Sequence, residues 1–171
     1  MSLGPGTGPG PGVRPASFWG ITVHLKDDEL ISGLGGHDDV PELLAAVYAR
    51  VTTAVSFTRM LTPLGNYFIA RPAARAAAGH ITEETDVPLD AAVVLGLTAD
   101  ALHSWSADPM RDHVGDHLGH VPLQRVTAIT VTPGRSWQLL AITLDGGHEV
   151  SLEARGAAHQ LAAAYDKLRA G

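Results

Sequence analysis

Histidines and carboxylates are concentrated in one short segment of the chain, which reads DHVGDHLGH over residues 112–120. His113 and His117 are four residues apart and His117 and His120 are three apart, so a helix here would place three imidazoles on one face. Imidazole is a good ligand for Zn²⁺ and related ions, and the two neighbouring aspartates could add carboxylate ligands. A metal site at His113, His117 and His120 is therefore one interpretation of the pattern.

The same segment can also be interpreted as a polar loop that binds no ligand. Gly115 and Gly119 would each cost a helix about 1 kcal/mol relative to alanine. The chain has nine histidines in all, so a solvated polar loop from Asp108 to Gly119 explains the composition too. We favour the loop and keep a metal-binding protein or metal-dependent enzyme as an alternative function.

No arrangement in the sequence is typical of a catalytic centre, and we predict neither catalytic residues nor a cofactor. The chain has no cysteine, which excludes a thiolate nucleophile, a thiolate zinc site and a disulfide scaffold. His103 and Ser104 are neighbours on a predicted strand, so their side chains face opposite ways and cannot act as a base and nucleophile pair.

Length and charge narrow the classes of protein further. The 171 residues suit one compact domain with an appendage or two very small domains. The 12 basic against 18 acidic residues give a net charge of −6. This balance argues against a nucleic-acid-binding protein, which needs cations for phosphate contacts. With neither a signal peptide nor a membrane span evident, we expect a cytoplasmic protein.

Composition divides the chain into three parts. Residues 1–16 alternate Gly and Pro and predict a disordered tail. The sequence pattern of residues 17–87 predicts a mostly helical region, and that of residues 88–171 predicts a β-rich domain. The helical region is expected to hold a short strand from Phe18 to Leu25, a helix from Val40 to Leu61 ended by Pro63 and Gly65, and a helix from Ala70 to Ala78 stopped by Gly79.

The β-rich part predicts five or six strands followed by one helix. Turn residues separate the strands at Thr98–Asp100, Pro133–Ser136 and Asp145–Gly147. The expected elements are strands over Ala91–Thr98, Leu102–Ser106, Val121–Thr132, Trp137–Leu144 and His148–Glu153, and a helix over Gly156–Ala170.

The segments VVLGLTADALHSW, HVPLQRVTAITV and WQLLAITLDGGHEVSLE, with the terminal helix, resemble the bacterial pleckstrin-homology-like (PH-like) domains. The resemblance covers roughly Leu89 to Leu168. It implies an α+β fold in which a bent seven-stranded β-barrel is closed by a C-terminal helix. It also implies that any missing strand comes from Phe18–Leu25 or from Tyr67–Val87.

Such domains commonly serve as interaction modules, so we expect a non-enzymatic scaffolding protein with an unidentified protein partner. The strand from His148 to Glu153 is expected to be an accessible edge, with His148, Glu149, Val150, Ser151 and Leu152 as the partner-binding residues. Anionic-lipid binding is a further alternative, although residues 89–171 carry six basic and nine acidic residues without a basic cluster. The oligomeric state stays open.

Overall fold

The computed structural model describes residues 34, 42–51, 63–108, 113–135 and 137–171, without the side chains of residues 63–70 and 113. These residues form an α+β structure built on one seven-stranded antiparallel sheet. Its strands are β1 Ala45–Val51, β2 Ala92–Leu97, β3 Ala101–Asp108, β4 His113–Pro122, β5 Val126–Thr132, β6 Gln138–Leu144 and β7 Glu149–Arg155. Helix α1 spans Pro63–Thr85 and helix α2 spans Ala158–Ala170.

The strand order is β4-β3-β2-β1-β7-β6-β5, so two consecutive runs of strands meet where β1 pairs with β7. The predicted strands at β2, β3, β6 and β7 and the C-terminal helix are confirmed. The strand predicted over Val121–Thr132 is divided by a 3-10 turn at Leu123–Arg125. The predicted tail and the predicted strand Phe18–Leu25 lie outside the described residues.

The prediction of a helix from Val40 to Leu61 is wrong for residues 45–51, which form β1. Both faces of β1 are buried: Val47 and Ala49 lie in one apolar cluster, while Ala46 and Tyr48 lie in another. A strand buried on both faces is a continuous apolar run, and such a run also satisfies helical spacing. The sheet therefore includes a central strand from the region that the sequence assigns to helices.

Helix α1 also differs from its predicted bounds. Pro63 begins this helix instead of ending one, in keeping with the tolerance of a first helical turn for proline. The helix continues through Gly79 to Thr85. It stops where Asp86 adopts the left-handed conformation with φ of 58° and its N–H donates to the Thr82 carbonyl.

The main core lies between the inner face of the sheet and α2. Helix α2 contacts β1, β2 and β5, and since β2 and β5 are four positions apart in the sheet, the sheet must bend around the helix. Leu161 and Tyr165 of α2 are buried, and the Tyr165 hydroxyl donates to the Val126 carbonyl over 2.6 Å. Ala77, Ala78 and Ile81 of α1 pack against the same core.

No helix among the described residues is both long enough and apolar enough to cross a membrane.

Candidate functional site

The histidine-rich segment forms a strand at one edge of the described sheet. The predicted polar loop from Asp108 to Gly119 is wrong for residues 113–119, which belong to β4 and pair with β3. Residues 109–112 of that prediction lie outside the described residues. The segment resembles a loop in composition because, within the described part of the sheet, β4 has a neighbour on one side alone. A strand at this position can carry polar residues and glycine that a central strand would exclude.

A bulge in β4 places His117 and His120 on the same face. Residues three apart in a regular strand face opposite sides of the sheet. Here His120 lies opposite His103 and Gly119 opposite Ser104, but His117 lies opposite Trp105, so Leu118 is an extra residue. Leu118 packs against the main core, and both histidines project from the outer face.

His103 of β3 stands between these two histidines. Its Nδ1 lies 3.1 Å from Nε2 of His117, which is a hydrogen-bond distance between the two rings. The ring centre of His103 lies 5.3 Å from that of His117 and 5.3 Å from that of His120. The hairpin thus collects three imidazoles, which we call the histidine cluster: His103, His117 and His120.

The ring of Trp105 packs against two members of this cluster. Its ring stacks on His103 at 5.7 Å between centres and lies 5.1 Å from the His117 ring. Although Trp105 is on the outer face, it is only 2% exposed, because it belongs to a second apolar cluster that includes Leu34 and Leu43. The tryptophan therefore restricts the positions that the imidazole rings can take.

The pKa of His103 lies below its usual value. Partial burial is the largest cause, and the neighbouring imidazoles of His117 and His120 lower the pKa further, while Asp100 opposes them. Both effects disfavour the protonated ring. The surroundings of His103 therefore favour its neutral form over its protonated form.

The cluster differs from the predicted metal ligands in one member. His117 and His120 belong to it; His113 starts β4 opposite Asp108, at the far end of the strand, and its side chain is not described. Sequence spacing missed His103, which is distant along the chain, and only the pairing of β3 with β4 brings it in. Among the described residues, no group of three or more His, Cys, Asp or Glu side chains could hold a metal ion.

The predicted partner-binding edge also needs a correction. Strand β7 is not an edge strand, because it pairs with β6 on one side and with β1 on the other. Leu152 lies opposite Val51 and opposite Leu140. The alternation of apolar residues with acids indicates which residues of β7 face the core and which face solvent. It does not indicate whether other strands pair with β7 on one side or on both.

At the other edge of the described sheet from β4 lies β5, which pairs with β6 alone. Its sequence is VTAITVT, with six β-branched residues and neither a charge nor a proline. Thr127, Thr130 and Thr132 are exposed. At the start of the strand, the Val126 carbonyl is occupied by the Tyr165 hydroxyl.

A group of interacting charged and aromatic side chains lies where β1 pairs with β7. The Arg50 guanidinium lies 3.7 Å from the Trp137 ring centre, and Arg155 lies 4.8 Å from the same ring. Arg50 also donates to Glu153 over 2.6 Å. Because these charges serve cation–π contacts and an ion pair within the fold, we assign the arrangement a role in joining the two runs of strands.

A comparison of the chain with models of protein families finds no match, and a search of curated proteins finds no relative.

Proposed function

We propose that this protein is a non-enzymatic interaction module that receives an extended segment of a protein partner along β5. The observation that carries the proposal is the character of this strand: an edge of the described sheet with strong β propensity and no charge or proline. An edge strand presents backbone N–H and C=O groups that can pair with another strand.

The two edges of the described sheet differ in a way that favours β5. Strand β4 has register shifts in its pairing with β3, a glycine with φ of 147° at Gly119, and Pro122 at its end. Bulges, proline and charged side chains are the features by which natural edges resist pairing. Strand β5 has one register shift, between Val126 and Ala128, and is regular from Ala128 to Thr132.

The resemblance to PH-like domains supports the same proposal at the level of the fold. A seven-stranded antiparallel sheet with a C-terminal helix on its inner face is compatible with that architecture. We propose that the chain is PH-like. Because fold alone does not determine function, the proposal rests chiefly on β5.

The chemistry of β5 indicates the kind of segment that it would receive. With main-chain hydrogen bonds supplying most of the affinity, the partner segment must be extended and must itself tolerate a strand conformation. Since β5 has no charged side chain, charge attraction to the strand is absent from the interaction. We therefore expect binding that changes little between low and moderate salt.

The experiment is a selection of random peptides on the immobilised full chain, followed by measurement of their Kd. The test variant is Thr130→Lys with Thr132→Lys, which puts two charges on exposed positions of β5. We expect at least about a tenfold loss of affinity, corresponding to about 1.4 kcal/mol. Amide exchange should also show protection of residues 128–132 in the wild-type complex.

The matched control is Glu149→Lys, which changes the net charge by the same two units at an exposed position at the start of β7. Its affinity for the selected peptides should equal that of the wild type. Selection of no peptide would overturn the proposal. So would equal binding by the β5 variant, or protection of other strands with none in β5.

A further inference from the structure

The histidine cluster is not used by the proposed function, and it lies on β3 and β4, at the other end of the strand order from β5. We propose that the cluster is a pH-sensitive contact, in which protonation of both His103 and His117 loosens the pairing of β4 with β3. Three features support this role: the hydrogen bond between the two rings, the irregular pairing of β4, and the packing beneath the rings.

The hydrogen bond between the two rings depends on their protonation. Nδ1 of His103 lies 3.1 Å from Nε2 of His117, so one of these atoms donates and the other accepts. A neutral imidazole has one N–H and one lone pair, whereas a protonated imidazole donates from both nitrogens. Two protonated rings would therefore direct N–H groups at each other, and repulsion between like charges would replace the bond.

The cluster tolerates one proton but not two. If His117 alone is protonated, its Nε2 donates to the lone pair on Nδ1 of His103, and the hydrogen bond becomes charge-assisted. A second proton on His103 removes that lone pair. His120 opposes the second proton as well when it is charged, because its ring centre lies 5.3 Å from that of His103. The contact is therefore lost at the second protonation step.

The titratable groups that act on His103 from the described residues lie on β4 and in the turn before β3. Partial burial lowers the pKa of His103 most, His117 and His120 lower it further, and the Asp100 carboxylate opposes them. Asp116 is an exposed carboxylate next to His117 in the chain. Because the folded pKa lies below the usual 6.5, the stability that depends on neutral His103 is complete above pH 6.5. It is lost as the pH falls through the folded pKa.

The ring contact lies in an irregular part of the pairing between β3 and β4. Register shifts are present on both sides of the pair formed by Trp105 and His117. Such irregularities leave backbone groups of the bulged strand unpaired. Side-chain contacts therefore hold β4 here more than they would in a regular ladder. Within the described sheet, β4 also has no strand on its other side.

The packing beneath the rings offers no compensation for a second proton. Trp105 is 2% exposed, and its ring stacks on His103 at 5.7 Å between centres. On the other side of β3, His103 lies opposite Gly96 of β2, a strand without charged residues. Repulsion between the protonated rings is therefore relieved by movement away from the sheet, toward the side of β4.

The test is amide hydrogen exchange of the full chain at about pH 7.5 and about pH 5, a range in which histidine titrates. Protection factors remove the pH dependence of the exchange reaction itself. We expect the protection of residues 114–121 to fall roughly tenfold in acid in the wild type. The fall should be absent in His117→Gln, whose side chain still forms hydrogen bonds but takes up no proton. The control, His148→Gln with His159→Gln, replaces two exposed histidines elsewhere and should match the wild type.

A second measurement covers the case in which the His117 variant does not fold. In a nitrogen-15 NMR titration of the wild type, His103 should become protonated below pH 6.5, and protection of β4 should fall over the same pH range. Unchanged protection of wild-type β4 in acid, or an equal fall in His117→Gln, would overturn the proposal. So would protonation of His103 at or above pH 6.5, or loss of the acid response in the control.

Discussion

Trp105 lies across the outer face of β2, and a single glycine makes room for it. A Cβ at Gly96 would come within 2.8 Å of both the Trp105 ring and the Leu43 side chain. Both neighbours are held in the second apolar cluster. The absence of a side chain at this position is therefore a packing requirement.

Gly96→Ala should lower the free energy of unfolding by about 1–3 kcal/mol, because the overpacked ring must move. The control is Gly79→Ala in α1, where a Cβ meets nothing within 4 Å. There the same change should stabilise the protein by up to about 1 kcal/mol through helix propensity. Urea denaturation of both variants measures the two effects, and equal signs would contradict the packing argument.

Tyr48 makes the free energy of unfolding depend on pH in the alkaline range. Burial raises its pKa above 10, and nearby Arg50, Arg155 and Arg71 oppose the rise without cancelling it. Below pH 10 the hydroxyl is protonated in both states, so its contribution to stability is complete. Above pH 10 the unfolded chain releases the proton first, and stability is lost as the pH rises through the folded pKa.

We therefore expect Tyr48→Phe to retain more of its stability than the wild type between pH 9 and pH 11. The measurement is the free energy of unfolding in urea at several pH values in that range. Parallel curves for the two proteins would show that Tyr48 does not titrate differently in the folded state.

At the scale of elements, one hydrogen bond ties the C-terminal helix to the start of β5. The Tyr165 hydroxyl reaches the Val126 carbonyl from the buried side of α2, across 39 positions of sequence. Because both residues are buried, water cannot readily replace the lost donor. This contact connects the helix that closes the core to the strand proposed to receive a partner.

Tyr165→Phe should cost about 1–2 kcal/mol, since the ring remains while the Val126 carbonyl loses its donor. Tyr165→Ala, which also removes the ring, should cost about 3–5 kcal/mol. Chemical denaturation gives both values, and their difference separates the hydroxyl from packing. A Phe variant as stable as the wild type would refute a structural role for this bond.

At the scale of the whole molecule, β1 joins two runs of strands that are distant in sequence. It pairs with β2 on one side and with β7 on the other, and Val51 lies opposite Leu152. The ion pair of Arg50 with Glu153 lies at the same junction. Removing β1 would expose two strand edges in the centre of the sheet.

A fragment of residues 88–171 should therefore lack a cooperative unfolding transition, although it contains the other six strands. Co-expression with residues 1–87 should restore the transition, because that fragment supplies β1 together with helix α1. Circular dichroism during heating and the dispersion of amide NMR signals provide the readouts. Cooperative unfolding of the shorter fragment alone would show that β1 is dispensable.

Local signals in the sequence predicted the C-terminal elements well. Turn residues at Thr98–Asp100 and Asp145–Gly147 fix hairpins through short-range backbone geometry, and the apolar stripe of α2 marks a helix. At β1 and β4 the local signals indicate the wrong element. An apolar run buried on both faces and a polar edge strand take their structure from their neighbours in the sheet.

The sequence by itself determined an α+β chain with strands between turns and a closing helix, and it singled out the histidines of residues 113–120. Tertiary structure alone decided that β7 is internal, that β5 is an edge of the described sheet, and that His103 joins His117 and His120. The physical reason is that sheet order and cross-strand neighbours are set by pairing between distant segments. Local propensity and residue spacing do not indicate which distant segments pair.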